Sequence, residues 1–337
     1  VPTIIDVARL AGVSPTTAKR ALSDPTRLHP ATLERVHQAI EALQYEPDQT
    51  AGALRRGRNK AIGLVVGSIV EPFFAQLARS IGESVRMLGY SLMVADNNYK
   101  SDLELEALRQ MSGNRVSGLI IRPGYGKTNL EYLLRMQARG TFVLEVDHHP
   151  EGSPFSYVML DNRRCVAEGV RYLAELGHRR IAALGAYDPV FHPEGRSKAF
   201  PEAMQALGLS IPPEYRRVIS LNEREAYDLT LYFMGLPERP TALFAYNGTG
   251  AIGAFRAIRE LGLEIPRDVS LLGFDNYPWT GLVKPAVDVF EQPVEDMGRA
   301  AARVVLAAVE EGPPPEPVRL VFPGRLLKRG SCAPPSA

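Results

Sequence analysis

The sequence predicts a chain in two parts: a short helical head of helix-turn-helix type, then an α/β core whose two lobes are each a doubly wound parallel sheet. Three observations predict this. The first 45 residues hold three short amphipathic patterns separated by turn residues. From Ala61 onward, apolar runs of strand length alternate with stretches of helical periodicity. After Asn162 the alternation begins afresh, so the core divides into two sheets.

The head is read from its caps. Thr3 can cap a first helix, with Asp6 at the capping-box position and Ile4, Val7, Ala8 and Leu10 as its apolar face, until Gly12 breaks it. Ser14 is a good N-cap and Pro15 suits the first helical position, where the missing N–H costs nothing, so a second helix runs through Leu22. A third starts near Pro30, carries Leu33, Val36, Ile40 and Leu43 at helical spacing, and ends before Tyr45 and Pro47. The first pair has helix-turn-helix spacing. On the second helix, Pro15, Thr16, Thr17, Lys19 and Arg20 are not needed for packing and form a polar, basic set able to reach base edges and phosphates. The alternative is a small bundle with a solvated face.

In the core, residues 62–66, 91–95 and 118–121 read as strands and 73–88, 103–111 and 130–139 as helices. Residues 142–146, 181–184, 242–246 and 270–274 are further strands, and Asp161-Asn162 reads as a helix start. The helix over 294–310 is expected to return to the first lobe, so the lobes are not contiguous in sequence. Ligand sites of open α/β sheets lie at strand carboxyl ends. Asp147, Asn247 and Asp275 each follow a strand directly, with turn formation as the alternative role.

Composition bounds the function. The chain has 337 residues, 45% hydrophobic and 23% charged, which suits two or three globular domains and excludes a disordered tail or a single small module. The longest mostly apolar run, 61–70, is about half of the roughly 20 residues a membrane helix needs. Asp6 and Arg9 interrupt any signal-like start, and a cytoplasmic location is expected. Cys165 and Cys332 allow at most one disulfide and no zinc cluster. Net charge is only +1, but residues 1–60 hold nine Lys/Arg against six Asp/Glu, while the remainder holds 30 against 32. The basic excess therefore sits in the head.

Thr3-Ile4-Ile5-Asp6-Val7-Ala8-Arg9-Leu10-Ala11-Gly12-Val13-Ser14, the stretch from Pro47 to Leu54, and Ala61-Ile62-Gly63-Leu64-Val65-Val66 together resemble the lactose-repressor/galactose-repressor family of bacterial regulators. Collinear matches continue through Asp161-Asn162, Leu176-Gly177-His178-Arg179-Arg180-Ile181, Pro266-Arg267-Asp268-Val269-Ser270, Gly273-Phe274-Asp275 and Gln292-Pro293. The resemblance implies a periplasmic-binding-protein-like core with an effector between the lobes. It also implies a hinge helix that folds on operator DNA and pushes a leucine, here Leu54, into the minor groove, where an apolar wedge unstacks one base step. The DNA contacts so implied are Ser14, Pro15, Thr16, Thr17, Lys19, Arg20, Ser23, Leu54 and Arg55. For the effector, Arg196 matches the family's ligand-binding arginine, Phe73 and Phe74 match aromatic residues of the cleft, and His192 faces it by alignment. With Tyr125, Asp147, Asn247, Asp275 and Trp279, these suit a neutral polyol, and a sugar phosphate on Arg196 stays open. Gly52 replaces the family's usual arginine, Lys19 a frequent serine, and Gly248 the aspartate of the effector turn. Leu221 and Val190 stand where purine-binding members have stacking or charged groups, so a purine is not expected.

Two patterns point elsewhere. Gly248-Thr249-Gly250-Ala251-Ile252-Gly253 is a literal G-x-G-x-x-G after a strand, which on local context fits a dinucleotide site and hence a nucleotide-cofactor oxidoreductase. It lies late in the chain, outside the first βαβ unit of a lobe. Asp147-His148-His149 with His192 could form a metal cluster, but adjacent histidines on an extended segment point apart. Neither a nucleophile elbow nor a P-loop occurs. The expectation is therefore no enzyme, no cofactor and no metal. A transcriptional regulator, a repressor by family resemblance, is expected to bind near-palindromic double-stranded operator DNA as a homodimer, without contact with a membrane, under a sugar or sugar-phosphate effector; a solute-binding protein is the other alternative. The expected domains are a head over 1–46, hinge helix and linker over 47–60, and a core over 61–330. Lobe one takes about 61–160 and 291–322, and lobe two about 161–290 and 323–330.

Overall fold

The computed structural model describes residues 2–45, 59–126, 128–185, 195–217, 219 and 222–336. Two compact units divide near Asn59. The first holds helices α1 (Ile4–Ala11), α2 (Pro15–Ser23) and α3 (Pro30–Leu43). The Thr3 hydroxyl accepts from the Asp6 N–H while the Asp6 carboxylate accepts from the Thr3 N–H, a complete capping box. Gly12 ends α1 in the left-handed conformation (φ +63°), which costs glycine little. The head's small core joins Val7, Ala8, Ala11, Ala18, Ala21, Val36 and Ala39. Leu10, expected on the apolar face of α1, is instead 56% exposed. Ala11 takes the inward position because it lies four residues beyond Val7 on the same helical face.

The second unit runs β1 (Asn59–Val66), α4 (Pro72–Arg86), β2 (Ser91–Asp96), α5 (Ser101–Gly113), β3 (Val116–Ile121), α6 (Leu130–Ala138), β4 (Phe142–Val146) and β5 (Ser156–Leu160). It continues with α7 (Asn162–Glu175), β6 (Ile181–Leu184), α8 (Arg196–Ala206), α9 (Glu223–Met234), β7 (Ala242–Ala245), α10 (Gly248–Glu260) and β8 (Ser270–Phe274). The last elements are α11 (Pro278–Leu282), β9 (Asp288–Glu291), α12 (Val294–Glu310), β10 (Arg319–Phe322) and β11 (Arg325–Leu327). Six strands in the order β10-β5-β4-β3-β1-β2 form one sheet, and five in the order β11-β9-β8-β7-β6 form the other.

Strands β1 and β3 are buried along nearly their whole length, as a sheet covered on both faces requires. On the first sheet α12 packs beside α4, joining Phe74, Leu77 and Ile81 to Met297, Ala301 and Val305 in one core. Each large side chain so buried contributes about 1.5–3 kcal/mol. The return of residues 294–310 to the first lobe is thus observed. The second sheet departs from the expected all-parallel form, because β11 runs antiparallel to β9. A three-residue edge strand that follows β10 directly has no crossover helix to reverse it.

The chain passes between the sheets three times, after β5, after β9 and between β10 and β11. All three crossings are short segments, a construction that lets two lobes turn about a common line. Among the described residues no helix is long and apolar enough to cross a membrane. Cys165 and Cys332 are buried, unbridged thiols.

Candidate functional site

The head presents one polar helix face. On α2, Pro15, Thr16, Lys19 and Arg20 are exposed, while Ala18 and Ala21 face the core. Ser14 and Thr17 are also committed to the fold. The Ser14 hydroxyl accepts from the Thr17 N–H at 3.1 Å and meets the Thr17 hydroxyl at 2.9 Å. Ser23 is the last residue of α2. Leu54 and Arg55, with the rest of the expected hinge helix, and His192 lie outside the described residues.

The core's strands end on a common cavity. Its lining comprises Glu71, Phe73 and Phe74 beyond β1, Tyr99 beyond β2, Arg122 and Tyr125 beyond β3, and Asp147 after β4. The other lobe contributes Arg196 and Ser197 at the start of α8, Tyr246 and Asn247 after β7, Asp275 after β8 and Gln292 after β9. Seven of the residues expected from the sequence, Phe73, Phe74, Tyr125, Asp147, Arg196, Asn247 and Asp275, therefore lie around one space. Trp279 does not. Its ring packs on Phe255 and lines a wider outer mouth with Val70, Ile252 and Pro278, because the short helix α11 carries it away from the strand ends.

On one wall, Arg122 is 1% exposed. Its Nε donates to Asp147 at 3.4 Å, and its Nη atoms donate to the Pro123 carbonyl and the Tyr125 hydroxyl. The guanidinium also lies 4.7 Å and 4.2 Å from the Tyr99 and Tyr125 ring centres. Buried Asn97 braces this turn, donating to the Arg122 carbonyl and accepting from the Tyr99 N–H, both at 2.9 Å. On the other wall, Arg196 lies 4.0 Å from the Phe274 ring centre and donates from Nε to Asn162 at 2.7 Å and from Nη1 to the Tyr246 carbonyl. Asp275 accepts from Gln292 Nε2 at 2.6 Å and from the Gly248 N–H at 3.0 Å. Gln292 lines the cavity, and its Oε1 is buried with no hydrogen-bond partner among the described residues.

Asp147 and Asp275 share a backbone feature, with φ +65° and +73°. Left-handed backbone at a non-glycine residue carries a steric cost that Asp tolerates better than most, and such outliers cluster where a side chain must be aimed. Glu71 sits just before α4 without capping it; instead its Oε1 accepts from the Tyr99 hydroxyl at 2.7 Å. Burial pushes its carboxyl up to about 7, the neighbouring Asp275 and Asp147 push the same way, and the Tyr99 bond and Arg122 oppose them. Burial likewise drives the Tyr99 and Tyr277 hydroxyls well above the ordinary range, so both remain protonated donors.

Sequence reasoning missed Glu71, Tyr99, Arg122, Ser197, Tyr246 and Gln292. Arg122 carried the same signal that singled out Asp147 and Asp275, a polar residue immediately after an apolar strand.

The described residues of both competing patterns have roles within the fold. In the G-x-G-x-x-G stretch, Asn247 caps α10 by accepting from the Gly250 N–H at 2.8 Å, and the Gly248 N–H is held by Asp275. A Cβ on Gly253 would lie 2.2 Å from the Glu223 carbonyl of α9, and one on Gly248 2.3 Å from the Tyr277 ring. These two glycines serve close packing, and the helix N-terminus is already filled by protein acceptors. In the histidine pair, His149 meets Glu145 at 2.5 Å and packs on Tyr157, whereas His148 is buried beside Tyr125. Among the described residues no group of His, Cys, Asp and Glu is placed to hold a metal.

Comparison with known proteins adds the following. Residues 3–48 match the family described as bacterial regulatory proteins, lacI family, and residues 170–332 match the periplasmic binding protein-like domain. The HTH-type transcriptional regulator PtxS of Pseudomonas putida is 31% identical, over 98% of this chain and 96% of its own length. The HTH-type transcriptional regulator GalR of Escherichia coli is 27% identical, over 99% and 96%. A transcriptional regulator CelR–cellobiose complex superposes with a TM-score of 0.73 at 26% identity, covering 98% of this chain and all of the other. The Lac repressor dimer bound to operator and the anti-inducer ONPF gives 0.86 at 23% identity, covering 98% and 99%, and shows a shared fold.

Proposed function

The chain belongs to the LacI family of bacterial regulatory proteins and is a DNA-binding transcriptional regulator; from that premise we propose that the cavity between its lobes is the effector site and takes a sugar or another neutral polyol. The observation that carries this reading is the convergence of strand ends on one space. There, carboxylates and amides with lone pairs to offer stand beside the Tyr99, Tyr125 and Phe73 rings. A polyol suits both, since its hydroxyls donate to Asp147, Asp275 and the buried Gln292 Oε1 while its apolar face packs on a ring.

The proposed protein is a cytoplasmic homodimer without catalytic activity, its heads reading the halves of a near-palindromic operator through Thr16, Lys19 and Arg20. The proposed mechanism is linkage. Effector contacts both walls, so it favours one relative orientation of the lobes about the three crossings. That orientation alters how the two hinge segments over 47–60 approach each other, and with them operator affinity. The named relatives support the class: CelR is seen with cellobiose and the Lac repressor with ONPF.

Calorimetry of the full chain against neutral sugars tests the site, with Asp275→Ala and Arg196→Ala as controls. Binding by the wild type that either variant loses is the expected result. Binding retained by both contradicts this site, and tight NAD binding without sugar binding favours the nucleotide reading.

A further inference from the structure

Among the described residues the cavity lining holds three carboxyls, Glu71, Asp147 and Asp275, and two guanidiniums, Arg122 and Arg196. Fully ionised, that set has one negative charge in excess, whereas with Glu71 as the neutral acid it balances. The carboxyls are not equivalent. Asp147 faces Arg122, and Asp275 has the Gln292 amide and the Gly248 N–H. Glu71 has the phenol of Tyr99 on Oε1, which leaves Oε2 to the cavity the residue lines.

Both guanidiniums are already engaged by protein acceptors and rings, Arg122 by Asp147, Pro123, Tyr125 and Tyr99, and Arg196 by Asn162, Tyr246 and Phe274. The titratable groups around Glu71 are thus Tyr99 and Arg122, which favour its charge, and Asp147 and Asp275, which oppose it; Tyr125, Tyr277 and Arg196 complete the surroundings. An entering phosphate would meet the Asp147 and Asp275 carboxylates and two guanidiniums already held by protein acceptors.

We propose that Glu71 enters the complex as the neutral acid and couples binding of a neutral polyol to uptake of one proton, while the two guanidiniums, already held by protein acceptors, are not offered to an anionic effector such as a sugar phosphate. This deepens the reading of the cavity as the effector site and rests on it. The proton comes from solvent and resides on the Glu71 carboxyl. A bound polyol displaces the water that stabilises the carboxylate, so the acid form gains further on binding. Burial pushes the Glu71 carboxyl up to about 7. Affinity for a neutral sugar is therefore highest below that pH and falls above it, by at most about ten-fold per unit.

The test uses the full chain, titrated calorimetrically from pH 6 to 9 with cellobiose, D-galactose and D-ribose and with glucose 6-phosphate. Two buffers of different ionisation heat report the protons exchanged. Expected are uptake of a sizeable fraction of one proton near pH 8, a sugar affinity that drops at least about five-fold from pH 6.5 to 8.5, and no comparable binding of the phosphate. Glu71→Gln keeps the shape of the acid form but cannot titrate, so it flattens the pH profile of sugar binding. Heat denaturation reads the same residue without any ligand. The unfolded chain ionises this carboxyl in the ordinary range while the fold holds it up to about 7, so wild-type stability falls as the pH rises to about 7 and stays lower above it; Glu71→Gln therefore melts higher than wild type at pH 8.5, and the gap closes towards pH 5. Sugar binding with a flat profile, or with the same profile in Glu71→Gln, overturns the proposal alone. A chain that binds no neutral sugar at any pH overturns the cavity reading, and this proposal with it.

Discussion

The two polar regions of the molecule are built in opposite ways. On α2 the functional candidates Thr16, Lys19 and Arg20 are exposed side chains on a helix that only its cap and a small alanine-rich core hold in place. Around the cavity the charged groups are held by protein partners, and Arg122 alone engages Asp147, Pro123, Tyr125 and two aromatic rings. The difference follows from the ligands. Operator DNA brings its own charge and a large surface, so flexible side chains can adapt to it, and long-range attraction to phosphate supplies most of the affinity. A small neutral effector offers little area and no charge, so its recognition depends on buried groups already aimed and dried before it arrives.

If that contrast holds, substitutions in the cavity act on both folding and response, and those on α2 act on DNA alone. The largest effect is expected at Arg122. Arg122→Met removes the buried guanidinium that faces Asp147, Pro123 and Tyr125, which should cost about 3–5 kcal/mol of stability. Adding Asp147→Asn should recover part of that loss, as a double-mutant cycle by urea denaturation would reveal; a single variant as stable as wild type would deny the cavity its rigidity.

Asp275→Ala strands Gln292 Nε2 and the Gly248 N–H and should weaken effector binding by about 1–3 kcal/mol or more, with operator affinity in the absence of effector unchanged. On the head, Arg20→Ala should relax preference at one base pair per half-site, worth about 1–3 kcal/mol, while Lys19→Ala lowers affinity for all sequences and flattens the salt dependence. A binding-site selection that returns the wild-type preference for Arg20→Ala would remove Arg20 from base reading. The smallest effect belongs to Ser14→Ala, where loss of the cap on α2 should cost about 1 kcal/mol, measurable as a lower melting point of the head.

The sequence made some of this legible and hid the rest for physical reasons. Caps are local chemistry, so Thr3 with Asp6 and Ser14 with Pro15 located two helices from a few residues each. Strands buried on both faces announce themselves as apolar runs, and 270–274 is found where expected. Strands β9 and β11 have only four and three residues, and Arg319–Phe322 alternates exposed and half-buried after a proline-rich stretch, so none stands out by periodicity. Asp147, Asn247 and Asp275 were visible because each follows a visible strand. Glu71 and Tyr99 lie in turns several residues beyond their strands, where only the fold brings them to the cavity. Arg122, next to its strand, was passed over because a guanidinium after an apolar run reads as a surface charge until its carboxylate and aromatic partners, up to 25 residues away, are known.

The most direct test of the whole account is operator binding by the full chain, followed by fluorescence anisotropy with and without the best-binding neutral sugar, for wild type and Asp275→Ala side by side. The account predicts that the sugar shifts the operator affinity of the wild type by at least several-fold and leaves that of Asp275→Ala where it was. An equal shift in both proteins would place the effector elsewhere and contradict the coupling of this cavity to DNA.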